Sequence, residues 1–120
     1  MEKRNIIEWR EDGSLSIPTG EIWMSESELV DLFGVFIPKL QNTIQMLYKE
    51  ELVRLYEAER TIKMQRNIYQ TVYNFEVVLL LAFRLNSYQT RAVRRELMER
   101  ISRTHKPFEV ILTATRGIGN

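Results

Sequence analysis

The sequence contains no cysteine and a single histidine, His105. Without cysteine there can be no disulfide and no thiolate chemistry. A lone histidine also argues against a histidine-rich metal site or a Ser/His catalytic pair. His105 lies in the loop-like stretch Thr104–Pro107, where we expect a solvated side chain. Phosphate loops, glycine-rich dinucleotide motifs, metal-ligand spacings and paired carboxylates are missing as well. We therefore predict a protein that is not an enzyme and carries no cofactor or metal.

Long apolar runs are missing too. The most apolar stretch, Val77–Phe83, falls far short of the ~20 residues that a membrane-spanning helix needs. Only two apolar residues follow Met1–Asn5, too few for the core of a signal peptide. We expect a cytoplasmic protein with no membrane partner and no small-molecule substrate.

Charge is distributed unevenly along the chain. Residues 1–60 carry 7 Lys/Arg and 12 Asp/Glu, a net charge of −5, whereas residues 61–120 carry 10 and 4, a net charge of +6. The two halves sum to the net charge of +1 for all 120 residues. A polyanion should therefore prefer the second half. The length and the 44% hydrophobic composition predict one globular domain spanning residues 1–120.

The first part of the chain, residues 5–24, has the pattern of β structure. Asn5–Trp9 and Ser14–Ile17 flank Asp12-Gly13, which is a strong hairpin-turn signal. A second turn leads into Glu21–Met24. This segment predicts a small β element.

Residues 25–49 predict a helix-turn-helix. Ser25 suits an N-cap, and Glu28 three residues later completes a capping box. Gly34 can end the first helix in a left-handed conformation, and Pro38 suits the first position of the next helix. Apolar residues recur on both helices at the spacing of a buried stripe. They are Leu29, Leu32 and Phe33 on the first helix, and Leu40, Ile44 and Leu47 on the second.

The connecting segments are less regular. Tyr48–Arg60 is rich in Glu and Arg, and we expect it to continue as helix or as a partly helical connection. Residues 61–73, split by Arg66-Asn67, predict a second hairpin. Near the end, Pro107–Leu112 is compatible with a further strand, and we expect residues 113–120 to form a loose tail.

Residues 75–103 predict a pair of helices. Asn74 suits the cap of the first, which runs to about Arg84 and is apolar nearly all round, so it should be the central buried element. Ser87 suits the cap of the second, which runs to about Ser102. We expect this last helix to bury Ala92, Leu97 and Ile101, with Val93 flanking them.

The second helix of the helix-turn-helix carries the candidates for DNA base contact. Gln41, Asn42 and Gln45 lie on its polar faces, and Asn and Gln can pair bidentately with adenine. Lys39 is its one basic residue near the start and is a candidate for phosphate contact. The alternative is a helical hairpin used only for packing or dimerisation.

The arginine-rich helix supplies further candidates for phosphate contact. Arg91, Arg94 and Arg95 are spaced i, i+3 and i+4 and therefore neighbour one another on one face. Such a cluster suits the DNA backbone. A solvated face in which Arg95 pairs with Glu99 and Glu96 pairs with Arg100 explains the pattern equally well.

The start of the second helix favours a different function. Phe36-Ile37-Pro38 stands where a DNA-binding helix usually presents small polar residues to phosphate. Exposed apolar clusters often mark interfaces. Phe36 and Ile37 are therefore candidates for a homodimer or partner interface in a module that keeps the fold without binding DNA.

Several blocks of this sequence resemble the RhuM-type virulence proteins of bacteria. Glu21–Val35 is similar to that family's "tvWLtqaeLaeLFgvs" opening, and Glu50-Glu51-Leu52 to its "egEL". Tyr73–Val78 with Phe83–Ser87 resembles its "YnLDvIi…GYRVnS" block. Arg91–Arg94 falls where the family has "atqFRkWA". The match covers roughly residues 5–103.

The resemblance implies a DNA-binding domain of the helix-turn-helix type without catalytic activity. This chain departs from the family pattern at Phe36-Ile37-Pro38, where the family has polar residues, and at Ala82-Phe83, where Gly-Tyr is typical. We therefore predict an α+β fold: a winged-helix-like helix-turn-helix domain with small β-hairpins and two further C-terminal helices. The function that we expect is that of a DNA-binding accessory or transcription-regulatory protein, acting as a homodimer on double-stranded DNA.

Overall fold

Short strands and helices alternate along residues 4–103, the part of the chain that the computed structural model describes. The strands form two small antiparallel sheets, and the fold is a compact α+β arrangement. In chain order the elements are β1 (Glu8–Trp9), β2 (Leu15–Ser16), β3 (Trp23–Ser25), α1 (Glu26–Phe33), α2 (Ile37–Lys49), α3 (Leu55–Ala58), β4 (Glu59–Gln65), β5 (Ile68–Asn74), α4 (Phe75–Arg84) and α5 (Tyr88–Ile101).

Capping side chains fix the starts of three helices. At α1, the Ser25 hydroxyl accepts from the Glu28 N–H, and the Glu28 carboxylate accepts from the Ser25 N–H at 2.8 Å. The Asn74 amide oxygen accepts from Val77 at α4, and the Ser87 hydroxyl accepts from the Thr90 N–H at α5. Each cap satisfies a backbone donor that the helix itself leaves unpaired. The predicted capping box and both predicted caps are confirmed.

The turn between α1 and α2 depends on Gly34. Its φ of +62° lies in the left-handed region, and its N–H donates to the Val30 carbonyl at 2.8 Å. A Cβ at this position would lie 2.1 Å from Oε1 of Gln89, so a larger residue would also require the Gln89 side chain to move. The predicted left-handed end of the helix is confirmed. The next helix begins one residue earlier than expected, at Ile37, with Pro38 second.

The larger sheet has the strand order β3-β5-β4. Met24 pairs with Tyr73 on one side of β5, and Thr61 pairs with Thr71 on the other. The turn of the β4–β5 hairpin is Arg66-Asn67, with Asn67 at a φ of +54°. The predicted hairpin is confirmed and extends over residues 59–74.

Four helices surround the core in a ring. α1 packs on α2 and α5, and α4 packs on the same two helices. α2 and α5 therefore lie at opposite corners. Every residue of Val77–Ala82 is buried, as predicted for a central helix, while Phe75 and Phe83 at its ends are half-buried.

The connection after α2 is partly helical, which is one of the two forms expected for it: Glu51 adopts a φ of +59°, and only the four residues of α3 are helical before β4 begins. Other local predictions were wrong. In α5 it is Val93 that is fully buried, while Ala92 is half-buried, because the helix turns its Thr90–Val93–Leu97 stripe inward. The expected strand at Asn5–Trp9 is reduced to β1 and an isolated bridge between Asn5 and Ile22. His105, the segment Pro107–Leu112 and the tail 113–120 lie outside the described residues.

Candidate nucleic-acid interface

The helix α2 presents a polar face to solvent. Leu40, Ile44 and Leu47 are buried as predicted, and Thr43 joins them with its hydroxyl donating to the Lys39 carbonyl. The opposite side of the helix is exposed. Its outermost side chains, one or two turns apart, are those of Asn42, Gln45 and Lys49.

The three candidates for base contact are not equivalent. Gln41 donates from Nε2 to the Glu26 carboxylate at 3.0 Å, and Tyr73 lies beside the same carboxylate. Within residues 4–103, Asn42 and Gln45 make no such side-chain bond. All of these residues border a small surface cavity of about 290 Å³ beside α2. Asn42 and Gln45 therefore keep their amide groups available, whereas the amide of Gln41 is already bound.

The tip of the β4–β5 hairpin is a second exposed polar feature. Lys63, Gln65 and Arg66 are exposed, as is 60% of Tyr69. Sequence reasoning predicted the hairpin but did not select Lys63 or Arg66. The sequence did contain a pattern that points to them. Two basic residues near a hairpin turn must project into solvent when only the base of the strand pair packs against the rest of the fold.

Two tyrosines lie between the base of the hairpin and α2. The Tyr48 hydroxyl donates to the Glu59 carboxylate at 2.5 Å, which joins the end of α2 to the start of β4. Tyr73 on β5 lies in the cavity that Gln41 and Gln45 also border. The base of the hairpin is therefore packed against α2.

The same two tyrosines predict an alkaline loss of stability. Burial, followed by the charge of Glu59, raises the pKa of Tyr73 to about 12, and burial with the Glu59 hydrogen bond raises the pKa of Tyr48 further. Because a free tyrosine has a pKa of about 10, the unfolded chain loses these protons first as the pH rises. The free energy of unfolding therefore falls as the pH rises from about 10 to about 12. Urea unfolding at a series of pH values measures this fall, and an equally steep fall in Tyr48→Phe with Tyr73→Phe would contradict its assignment.

The arginines of α5 lie elsewhere. Arg94 donates to the carbonyls of Ala82 (2.7 Å) and Leu85 (2.9 Å), and its guanidinium lies 5.7 Å from the Phe83 ring centroid. It therefore binds the C-terminal end of α4. Arg91 and Arg95 are exposed, but α5 is at the opposite corner of the helix ring from α2.

The ion pairs along α5 also differ from those that the sequence spacing predicted. Among the described residues, Glu99 pairs with Arg103 at 2.8 Å and not with Arg95. Arg91 makes one long bond, 3.4 Å, to the Asn86 side chain. Arg91 and Arg95 therefore remain a solvated basic surface.

The turn before α2 carries the candidates for a protein interface. Phe36 is 86% exposed and Ile37 is 49% exposed, and the exposed Lys39 follows them. Phe36 provides no side-chain cap for the helix. The structure thus leaves this apolar pair in solvent.

No helix within residues 4–103 combines the length and the apolar character needed to cross a membrane. In the same part of the chain, no group of three or more His, Asp or Glu residues is arranged to hold a metal ion. No family model matches the sequence, and comparisons with curated proteins and with solved structures find no similar protein.

Proposed function

We propose that this chain is a non-catalytic DNA-binding protein that contacts duplex DNA with α2 and the β4–β5 hairpin. The observation that carries the proposal is the order of the elements around the larger sheet. The helix pair α1–α2 lies in the chain between β3 and β4, and the strand order is β3-β5-β4. On this proposal the order is that of a winged helix, in which α2 would be the recognition helix and the hairpin the wing.

The dimensions and chemistry of α2 suit the major groove. Its 13 residues make a helix about 20 Å long, which the groove admits. Asn42 and Gln45 are one turn apart on its outward side and have free amides. Each can contact adenine through both ends of its amide: the carbonyl oxygen accepts from the N6 amine, and the NH₂ donates to N7. We therefore assign base contact to Asn42 and Gln45, with adenine as the preferred base.

On this proposal, phosphate contact falls to the exposed basic residues of α2 and of the β4–β5 hairpin. Lys39 and Lys49 lie at the two ends of α2, and Lys63 and Arg66 lie at the hairpin tip. Together they replace Arg91, Arg94 and Arg95, whose helix is across the ring from α2. Such contacts make affinity fall steeply as salt rises.

The resemblance to the RhuM-type family favours the same class of function, an accessory or transcription-regulatory protein of a bacterium. This proposal explains why the chain departs from the family pattern at Phe36-Ile37-Pro38. Phosphate contact at the start of α2 passes to Lys39 and to the hairpin, so the turn does not need polar side chains.

The direct test is a binding titration with a duplex selected from a random pool. Replacing Asn42 and Gln45 together by alanine should weaken binding to the selected duplex by about 25-fold or more, because each bidentate contact contributes about 1–3 kcal/mol. Affinity for an unrelated duplex should stay within about threefold. Gln41→Ala is the matched control and should have a much smaller effect, since its amide binds Glu26. Equal losses on both duplexes would refute base readout by these residues.

A second function, a non-catalytic interaction module, is favoured by the 86% exposure of Phe36. It uses the apolar turn and not the polar face of α2. The same titration separates the two functions, because an interaction module leaves duplex DNA unbound even at low salt.

A further inference from the structure

A groove beside the first turn of α4 is both acidic and apolar. It has a volume of about 430 Å³, and Trp23 and Phe75 form part of its wall. Three carboxylates, those of Glu21, Glu57 and Glu76, border it. An occupant must therefore be cationic and also carry an apolar or aromatic group.

The carboxylates of this acidic groove are only weakly neutralised. Glu57 has one partner, Arg54, at 4.0 Å, and both side chains are more than half exposed. Burial and the nearby charge of Glu57 raise the pKa of Glu76. A cation between Glu57 and Glu76 would relieve this repulsion, which gives the groove a reason to bind one.

A surface of the matching chemistry lies near the α1–α2 turn. We call it the turn patch: Phe36, Ile37, Tyr88 and Arg91. Phe36 and Tyr88 are 86% and 81% exposed, which is unusual for aromatic residues of a folded chain. Arg91 follows Tyr88 by three residues on α5 and is also exposed, so the two share a helix face.

Hydrogen bonds between α1 and α5 bring the residues of the turn patch near one another. The Ser87 hydroxyl donates to the Phe33 carbonyl, and Gln89 donates from Nε2 to the Asp31 carbonyl at 3.1 Å. The first turn of α5 is therefore seated on the end of α1, against Gly34. Tyr88 lies beside the turn that carries Phe36.

The acidic groove and the turn patch lie at opposite ends of α4. The groove is at its first residues, Phe75 and Glu76, whereas α5 begins after the short connection at its far end. The ten residues of α4 separate these ends by about 15 Å. One copy therefore cannot fill its own groove with its own turn patch.

We propose that the acidic groove binds the turn patch of a second copy of this chain. Arg91 meets the carboxylates of Glu57 and Glu76, while Tyr88 or Phe36 packs on the Trp23–Phe75 wall. Three carboxylates of the groove would face an exposed guanidinium of the patch, so the two surfaces are complementary in charge.

The contact has a defined symmetry. Two different surfaces meet, so the interface is heterologous, and each copy keeps one free groove and one free patch. The product is an open head-to-tail series and not a closed dimer. A groove of this size makes a small interface, so we expect association that is reversible and lost as salt screens the charges.

The experiment is sedimentation equilibrium of the full chain without DNA, so its outcome is independent of the proposed function. At about 20 mM salt, the weight-average mass should rise with concentration well above the monomer mass of 14.3 kDa. At about 500 mM salt, where the Debye length is only a few ångströms, the mass should return to that of the monomer. A wild-type protein that is monomeric at both salt concentrations overturns the proposal.

Two charge reversals test the pairing itself. Glu76→Arg destroys the groove and Arg91→Glu destroys the patch, so each variant alone should be monomeric at low salt. A mixture of the two should associate again at low salt, because the intact groove of the Arg91→Glu variant meets the intact patch of the Glu76→Arg variant. Thermal melts check that both variants fold, and Glu57→Lys serves as a second groove variant. Singles that still associate, or a mixture that stays monomeric, overturn the proposal.

Discussion

Reversing the two charges at the hairpin tip, Lys63→Glu with Arg66→Glu, is expected to weaken binding to duplex DNA by about 100-fold near physiological salt. Each phosphate contact releases about 0.9 counterion, so losing two contacts removes about 1.5 decades of affinity, and the introduced carboxylates add repulsion. The slope of log affinity against log salt should fall by about two. Fluorescence anisotropy with a short labelled duplex at several salt concentrations measures both quantities.

The matched control changes the same net charge on the other side of the molecule. Arg91→Glu with Arg95→Glu alters two exposed arginines of α5, and we expect no more than about a threefold loss of affinity, since only the long-range field changes. Arg94 is left intact because it binds the end of α4. A larger loss in the α5 variant than in the hairpin variant would place the DNA on α5 instead.

The largest effect on stability is expected from Phe33→Ala. Phe33 is fully buried where α1 meets α5, and its carbonyl accepts from the hydroxyls of Ser87 and Thr90. Truncating a buried phenylalanine costs about 3–5 kcal/mol, which is a large part of the unfolding free energy of a small domain. Urea denaturation followed by circular dichroism measures the loss.

The chain offers a control three residues away. Phe36→Ala removes the same atoms from a side chain that is 86% exposed, so the free energy of unfolding should change by no more than about 0.5 kcal/mol. Two similarly large losses would contradict the exposure of Phe36, and two similarly small losses would contradict the burial of Phe33.

The parts of the fold that could be predicted from the sequence are governed by local chemistry. Ser25 and Glu28 cap a helix through bonds that span three residues, and Gly34 ends it because few other residues adopt a positive φ. The periodicity of Leu40, Ile44 and Leu47 identified the inner side of α2 for a similar reason. In each of these patterns, the residues that matter lie within one or two helical turns of one another.

The parts that could not be predicted depend on how distant elements pack. Arg94 shares a face with Arg91 by spacing, but α4 ends beside it and provides two carbonyls, which no local pattern encodes. The position of α5 across the ring from α2 is also a property of the whole fold. For this reason the sequence pattern indicated Arg91, Arg94 and Arg95 beside Lys39 for phosphate contact, whereas the function that we propose uses Lys63 and Arg66 with Lys39 and Lys49.

The most direct test of the account is to map the DNA-contacting surface by NMR. The backbone amide signals of ¹⁵N-labelled protein are followed while a duplex is added at moderate salt. We expect the largest shifts in α2, around Asn42 and Gln45, and at the hairpin tip, around Lys63 and Arg66. The signals of α5 should change little. Shifts concentrated at Arg91 and Arg95, or no shifts at a saturating amount of duplex, would contradict it.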